Sequence, residues 1–352
     1  MAGQDQYSTS MFRKAFKAIT WAANGGDFIA YQGPFDEAII SCLGTETTNI
    51  TTLTMPGVAN AIKSLNITSN KHGQVALLNG AALYDLFRAF WGNGFYFRQL
   101  AATTDTNCGM VGALPITADE DESLNFTYTF GALTDMDSGI TAYTATVRMS
   151  FRILNQSSPT TYWAYRVQAF VAAGAQTVQQ PLPPILSGYS LVGEVIEAHP
   201  TSLTAASDPV ATLGLIQLYQ GTIPIVDEYA MTLLGAYFRR IFNMLSTAAL
   251  GSAITCAAGT VLYIKHIPVS NNDASVFAIQ TLAQVYSQSQ IVYIYQSGQV
   301  SPAFGGGTPA VQPTTEVPSN RGALVPNASG TPTIQAKVGP AGGKGILEYL
   351  RQ

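Results

Sequence analysis

Hydrophobic and polar positions recur with two different periods along the chain, and the first period is helical. Between residues 8 and 24 apolar positions share one face at 100° per residue, with basic positions opposite. A Ser-Thr-Ser segment can cap this stretch and an Asn-Gly-Gly segment can end it. The pattern predicts a basic amphipathic helix that packs on its own domain, on a membrane surface or on a neighbouring subunit. Its candidate contact residues are Phe12, Arg13, Lys14, Phe16, Lys17 and Ile19.

From about residue 37 onwards the period changes to two, which is typical of half-buried strands. Runs rich in Thr, Val, Ile and Tyr are separated by Gly, Asn, Asp and Pro. Short strands with turns between them favour a sandwich or barrel over βαβ units. The clearest predicted strands cover 124–130, 142–151 and 162–170, and further strands are predicted at 189–196, 259–265, 276–279 and 290–295.

One short motif occurs in both halves of the β-rich region. The pattern Leu-x-x-Φ-Phe-Arg, where Φ is hydrophobic, stands at 83–88 and again at 234–239. At the same offset, residues 65–67 correspond to 216–218. A strand, a connection and a helix therefore recur in the same order. The repeat predicts tandem copies of one β-rich domain with one short helix each.

Proline and glycine mark the limits of these domains. Three prolines within 180–184 remove backbone donors and stiffen the chain, so a domain boundary is predicted there. Residues from 301 to about 340 are rich in Pro, Gly and Thr without periodicity, which indicates an extended arm. The predicted organisation is an N-terminal helical arm at 1–30, β domains at 31–183 and 184–300, and a C-terminal arm at 301–352.

Charged residues are scarce for a chain of this size. The 352 residues include 17 Lys+Arg and 21 Asp+Glu, or 11% charged, against about 25% in a typical soluble chain. With 47% hydrophobic residues this is not a disordered composition. The formal net charge of -4 does not fit a polybasic nucleic-acid binder. The composition indicates a folded protein whose surface is largely covered by other molecules.

Cysteine usage and the N-terminus favour a reducing compartment. Cys42, Cys108 and Cys256 are widely separated and odd in number, so neither a disulfide framework nor a CxxC metal site is predicted. The apolar run after Lys17 is too short and polar for a secretory signal.

One stretch, 241–264, is uncharged and long enough to cross a bilayer. Its eight Asn, Ser, Thr and Gly residues favour instead a helix end, a loop and a strand. An integral membrane protein using this stretch remains an alternative.

The residues that carry catalysis do not form a recognisable set. His72, His199 and His266 are scattered outside any metal-binding motif and are expected at turns or on strand surfaces. The sequence contains no GxSxG motif. Glycine-rich stretches at 305–307 and 339–345 lack the spacing of a phosphate loop and are interpreted as linkers. No catalytic, cofactor-binding or metal-binding residue is predicted, and the chain is not expected to be an enzyme.

Two acidic segments, 119–122 and 135–139, could bind calcium through clustered carboxylates. The second segment lacks the fifth-position oxygen and the late Glu of an EF-hand loop. A solvated loop is the favoured interpretation, and calcium binding at 119–122 stays open. Aromatic residues at 95–97 and 162–165 lie at strand spacing without interleaved Lys or Arg, so they are expected to pack rather than to stack on nucleic acid.

Few charges, a basic N-terminal helix, two β-rich halves with one helix each, a proline junction and a loose C-terminal arm coincide in this sequence. Together they resemble the major capsid proteins of the double jelly-roll lineage, which is found in icosahedral viruses that enclose an internal membrane. The resemblance implies an all-β fold of two tandem eight-stranded jelly rolls standing side by side. Because 184–300 is short for a jelly roll, part of 301–352 could supply its final strands.

The resemblance also implies a structural role in the virion, with assembly in the host cytoplasm. Three copies would form a pseudo-hexagonal homotrimer. The two arms would contact neighbouring capsomers, the internal membrane, and penton or minor capsid proteins, without specific nucleic-acid binding. The low charge fits, since interface cores are depleted in Lys, Glu and Asp. The alternative is a surface or secreted β-sandwich, such as an adhesin or glycan-binding protein, which would predict a signal sequence and paired cysteines.

Overall fold

Two sets of eight strands with the same order of partners form most of the structure, a computed structural model. It describes residues 12–46, 53, 55–92, 96–98, 107–154, 159, 161–183, 187–200, 207–234, 261–270, 276–286, 289–297, 323–326 and 332–335. The elements of the first half are β1 (Phe12–Thr20), β2 (Gly26–Gln32), β3 (Phe35–Glu46), α1 (Met55–Ala59), β4 (Ile62–Ser69), β5 (Gly73–Leu78), α2 (Gly80–Trp91), β6 (Tyr96–Arg98), β7 (Asn107–Ala118), β8 (Ser123–Phe130), α3 (Leu133–Met136) and β9 (Tyr143–Ile153).

The second half repeats this arrangement and a hairpin follows it. Its elements are β10 (Trp163–Ala169), β11 (Gln176–Pro181), β12 (Tyr189–Glu197), α4 (Pro209–Thr212), β13 (Leu213–Gln220), β14 (Ile223–Tyr229), β15 (Leu262–Ser270), β16 (Val276–Thr281), β17 (Gln290–Ser297), β18 (Ala323–Pro326) and β19 (Pro332–Gln335). Helical residues 230–234 follow β14. A strand lies at each of the seven predicted positions, with ends that differ by a few residues from the predicted ones.

The first half folds into two facing sheets, which we call the first roll. One sheet has the order β1-β9-β3-β7, and the other has the order β2-β8-β4-β5, which makes eight strands; the three-residue strand β6 is added at the edge next to β7. Phe151 of β9 lies between them, with its ring centroid 4.8 Å from that of Phe35 and 5.6 Å from that of Phe126 on β8. Residues of β8 alternate between buried and more exposed because one face points to this core.

The second half forms a second roll with the corresponding sheet orders, β10-β17-β12-β15 and β11-β16-β13-β14. A shift of 151 residues carries Ile62 onto Leu213 and Ser69 onto Gln220, the ends of β4 and β13. The hairpin β4–β5 with α2 and the hairpin β13–β14 with helical residues 230–234 are the predicted repeat. The prediction of two tandem eight-stranded jelly rolls is confirmed.

The rolls are joined edge to edge. Strand β10 of the second roll pairs in parallel with β5 of the first, which makes one eight-stranded sheet. Only two register pairs form, and Arg166 adds to them by donating to the carbonyl oxygens of Gln74 and Val75 at 2.8 and 2.9 Å. The two rolls therefore share backbone hydrogen bonds rather than only a tether.

Strand partners change earlier than the proline-rich segment. Because β10 and β11 pair with β17 and β16, the change lies between Ile153 and Trp163. The proline-rich segment follows β11 inside the second roll. The limits 31–183 and 184–300 stay a prediction for units of independent folding, while hydrogen bonding divides the rolls near residue 160.

The helix α2 lies between the rolls. Its N-terminus is capped by Asn79, whose Oδ1 accepts from the amide of Ala82 at 2.7 Å. On one side Phe87 covers Gly112 of β7, where a Cβ atom would lie 2.2 Å from the Phe87 ring. On the other side α2 packs on β12 and β17 of the second roll. Eight of its twelve residues are buried, because neighbours cover it on more than one face.

The prediction of an N-terminal helix is wrong for the described residues. Phe12–Thr20 is strand β1, which pairs antiparallel with β9. The register shifts between Ala15 and Ala18. A bulge adds a residue to one strand and breaks the period of two, so the apolar spacing imitates that of a helix.

Residues 303–352 form a separate unit, whose described part is the hairpin β18–β19. All eight strands of the second roll precede residue 298. The expectation that part of 301–352 supplies final strands of this roll stays a prediction for the tail residues outside the described part. The second roll obtains its first two strands from residues before the proline-rich segment.

The candidate membrane span 241–264 lies outside the described residues up to 260, and Leu262–Ser270 is strand β15. Within the described ranges, no helix has the length and apolar character needed to span a membrane.

Candidate functional site

The predicted contact residues of the N-terminal segment all lie in β1, at an edge of the five-stranded sheet. Lys17 Nζ lies 3.2 Å from Asp27 Oδ1 and 3.2 Å from the carbonyl oxygen of Phe28 on β2. It therefore links the edges of the two sheets of the first roll. Ile19 is 2% exposed and belongs to the core. Side chains of residues 12–16 are outside the described part, and contact of this segment with a membrane or neighbour stays a prediction.

Two carboxylates of the acidic segment 119–122 are paired with a lysine of the same chain. Lys71 Nζ lies 3.3 Å from Asp119 Oδ2 and also bonds Asp121. The hydrogen bond to Asp121 raises the pKa of Lys71. Buried Glu122 accepts from the Ser69 hydroxyl and from the Asp119 amide. An ammonium group thus lies where a bound cation would sit, and no group of three or more metal-ligating side chains is found among the described residues.

The second acidic segment has a local structural role. Asp135 Oδ2 accepts from the amide of Ala132 at 2.9 Å, at the start of α3. Asp137 Oδ1 accepts from the amide of Gly139 at 2.7 Å. Both carboxylates therefore satisfy backbone donors of their own turn.

Each histidine lies beside a glutamate, which the sequence did not indicate. His199 Nε2 is 3.1 Å from Glu197 Oε1, and His266 Nε2 is 3.1 Å from Glu194 Oε1. Both of these pairs are buried, so the expected turn or strand-surface positions are wrong for them. His72 is more exposed, with Nε2 3.9 Å from a Glu122 oxygen. A usable signal was the presence of two glutamates in the otherwise apolar run of β12.

The pKa of His266 reflects two opposing effects. Burial lowers it, but the charge of Glu194 and the hydrogen bond to that carboxylate raise it more, so the net pKa lies above the usual value of 6.5. The pair lies inside the second roll. Glu194 stands opposite Tyr293 of β17, and the Tyr293 ring packs on Phe277 of the facing sheet.

Two cysteines that are distant in sequence are neighbours in the first roll. In the β3–β7 register Cys42 faces Met110, and Cys108 faces Gly44, two positions further along the ladder. Both thiols are buried, and neither forms a disulfide bond. Burial, together with Cys108, raises the pKa of Cys42 to about 12, although a hydrogen bond with Tyr143 lowers it. Such a thiol is unreactive as a nucleophile. Cys256 is outside the described residues.

An aromatic contact joins the two rolls around the C-terminal end of α2. The Phe90 ring centroid is 5.8 Å from that of Trp163, 6.4 Å from that of Tyr165 and 6.1 Å from that of Tyr263. The Tyr165 hydroxyl donates to the carbonyl oxygen of Pro115 on β7. Aromatic side chains of the second roll thus pack directly on the first.

A buried polar cluster accompanies this aromatic contact. Asn79 Nδ2 donates to Gln290 Oε1 at 2.9 Å, and Gln290 Nε2 donates to Asp85 Oδ2 at 2.8 Å. Glu197 stands opposite Gln290 in the β12–β17 register, which places its carboxyl in the same cluster as that of Asp85. Burial and the charge of Glu197 raise the pKa of Asp85 well above its usual value. The sequence did not predict this cluster, because its members are far apart in the chain: Asn79 and Gln290 are separated by 211 positions.

Large apolar side chains are also exposed on the described surface. Tyr229 and Met231, at the end of edge strand β14, are 58% and 69% exposed. Interfaces are enriched in aromatic residues and Met relative to the rest of the surface. The other exposed large apolar residues are Phe28, Leu43, Leu77, Trp91, Val171, Ile267 and Leu282.

Two eight-stranded jelly rolls joined through one continuous sheet define a double jelly-roll protein. The chain is similar to the STIV MCP, a major capsid protein, with a TM-score of 0.62, 9% identity, and coverage of 84% of this chain and 98% of that one. It is also similar to a chain in the atomic structure of Sulfolobus Turreted Icosahedral Virus, with a TM-score of 0.61, 9% identity, and coverage of 83% and 91%. No protein-family model and no curated protein matches the sequence. The similarity establishes the fold.

Proposed function

We propose that the chain is a structural major capsid protein of an icosahedral virion with an internal membrane. The observation that carries the proposal is the edge-to-edge joining of two like jelly rolls in one chain, the fold shared with the STIV MCP. In this proposal three copies form a pseudo-hexagonal capsomer, since three two-roll chains place six similar units around one axis. Contacts with neighbouring capsomers and with penton or minor capsid proteins, and assembly in the host cytoplasm, belong to the same proposal.

The exposed apolar side chains support self-association. A monomer rarely leaves large apolar patches in water, and this chain combines such residues with only 11% charged residues. Tyr229 and Met231 are the two most exposed large apolar residues among those described. We assign them to the contact between copies of the chain.

Light scattering on the purified protein tests the assembly state. The expected mass is three times 37.3 kDa at tens of micromolar protein, with a six-lobed outline in negative-stain micrographs. The double variant Tyr229→Glu/Met231→Glu should dissociate. Thr127→Glu/Thr129→Glu, on exposed positions of β8, is the matched control and should keep the trimer.

A strictly monomeric wild-type protein would overturn the trimer. A trimer that survives the Tyr229→Glu/Met231→Glu change would place the contact elsewhere. A monomer that also binds oligosaccharides in a glycan screen would favour the surface β-sandwich alternative.

We also propose that the N-terminal segment contacts the membrane through Arg13 and Lys14, because basic side chains near an anionic surface contribute about 1 kcal/mol each. Since β1 is part of the first roll, deletion of residues 1–24 should prevent folding, whereas deletion of 1–11 leaves the strand in place.

Co-sedimentation with phosphatidylglycerol vesicles tests this contact. Arg13→Glu/Lys14→Glu should reduce vesicle binding, and the matched control Lys63→Glu/Lys265→Glu, at exposed positions, should not. Equal vesicle binding by the two variants would show that Arg13 and Lys14 do not contact the membrane.

A further inference from the structure

A carboxyl pair, Asp85 of α2 and Glu197 of β12, lies at the junction of the two rolls. Asp85 is 0% exposed and Glu197 is 2% exposed. Gln290 of β17 donates to one oxygen of Asp85, and Glu197 Oε1 lies 3.1 Å from His199 Nε2. One oxygen of Asp85 therefore has Gln290 as its partner, and one oxygen of Glu197 has His199.

The remaining oxygens have no hydrogen-bond partner among the described residues. Asp85 Oδ1 and Glu197 Oε2 are both buried, and Glu197 stands opposite Gln290, the donor to Asp85, in the β12–β17 register. Two buried carboxylates in contact cannot both be charged without a large electrostatic cost. A single proton shared by the pair removes one of the two charges. Burial, followed by the charge of Glu197, raises the pKa of Asp85, in agreement with this geometry.

Few other charges act on the pair. On α2 itself, Arg88 lowers the pKa of Asp85 by less than burial and Glu197 raise it, and Arg88 Nη1 donates to the Tyr84 hydroxyl at 2.6 Å. His199 faces Glu197 from the second roll. The elements α1 and β7, also packed on α2, carry no Asp, Glu, Lys, Arg or His. Lys63 of β4 is exposed.

We propose that the proton shared by Asp85 and Glu197 is a pH-sensitive contact between the two rolls, and that its loss at alkaline pH loosens the packing of α2 on β12 and β17. The carboxyl pair joins one residue from each roll, so a second negative charge there repels across the junction. The inference concerns the folded chain and does not depend on the proposed capsid role.

The proposal has a quantitative signature. In the closed junction the carboxyl pair holds one proton, and when α2 separates and both acids are hydrated it holds none above about pH 5. The opening equilibrium should therefore increase about tenfold for each pH unit above that point, until the closed pair itself loses its proton.

Hydrogen–deuterium exchange of the full-length protein measures this opening, with rates corrected for the intrinsic effect of pH. In the wild type, protection of α2 amides should fall about tenfold per unit between about pH 6 and pH 8. In Asp85→Asn the slope should disappear, because the side-chain amide donates permanently to Glu197 and its oxygen still accepts from Gln290. Asp135→Asn, which makes the same change at an exposed carboxylate, should keep the wild-type slope.

A second variant covers failure of the first to fold. Glu197→Gln should abolish the slope in the same way, since its amide donates to Asp85. A flat wild-type profile, or a slope that persists in either variant, would overturn the proposal. So would failure of both variants to fold, because a neutral residue at either position should reproduce the protonated pair.

Discussion

Strands β9 and β17 occupy equivalent positions in the two rolls but have different surroundings. In β9 of the first roll, buried and exposed residues alternate from Tyr143 to Phe151, so one face of the sheet is open. In β17 of the second roll the first six residues are all buried. The difference follows from α2, which covers the outer face of β12 and β17 and has no described counterpart over β9. In the second roll β17 is therefore buried on both faces of its sheet, whereas in the first roll the outer face at β9 is exposed.

The covered face also explains the composition of its strands. A strand buried on both sides reads as a continuous apolar run, whereas a half-exposed strand alternates. The segment of β17 reads QIVYIYQS, and that of β9 reads YTATVRMSFRI. Strand β9 therefore presents polar side chains on the surface of the first roll. The equivalent strand β17 packs against α2 at the junction between the rolls.

A buried charge on the covered face should have the largest effect. Val292 is 0% exposed and shares a face of β17 with Gln290, which contacts α2. Val292→Lys should cost at least about 4 kcal/mol or prevent folding. Thr144→Lys on the open face of β9 should change stability by less than about 0.5 kcal/mol. Urea unfolding of both variants measures the contrast, and equal effects would contradict it.

Loss of the aromatic contact at the end of α2 should have the next largest effect. Phe90→Ala removes the ring that meets three aromatic side chains of the second roll, and we expect a loss of about 3 kcal/mol. Phe28→Ala, at a position 52% exposed, is the control and should be nearly neutral. Similar thermal unfolding of the two variants would show that Phe90 does not support the junction.

A change on the other side of α2 should be smaller. Gly112→Ala places a Cβ against the buried Phe87 ring, which pushes the helix away from β7, and overpacking of this kind costs about 1–3 kcal/mol. Gly174→Ala meets no atom within 4 Å and serves as the control. A neutral Gly112→Ala variant would mean that α2 can shift between the rolls without cost.

The smallest effect is a pH dependence inside the second roll. Because the folded pKa of His266 lies above 6.5, its pairing with Glu194 contributes fully below that value, and the contribution is lost as pH rises through the raised pKa. Glu194→Gln should reduce the difference in unfolding free energy between about pH 6 and about pH 9. Since the carboxyl pair is present in both proteins, this comparison isolates His266. An unchanged difference would exclude the ion pair as its source.

The repeat was the most informative pattern in the sequence. Two copies of Leu-x-x-Φ-Phe-Arg at equal offset from two short strands predicted tandem domains, and the strands β4 and β13 confirm it. The error at β1 has a local cause, because a bulge between Ala15 and Ala18 disguises the strand period. The early start of the second roll was missed for another reason. Prolines mark a stiff turn after β11, but hydrogen-bond partners decide which roll a strand joins.

Local patterns in the sequence determined the strands, their turns and the duplication, because side-chain period and turn residues act over a few positions. The junction between the rolls was decided only by the tertiary structure. Asn79 and Asp85 meet Gln290 and Glu197 because β10 pairs with β5 and brings α2 against β12 and β17. A carboxyl in a helix reads as solvated until a second carboxyl, more than a hundred positions away, is buried beside it at the junction of the two rolls.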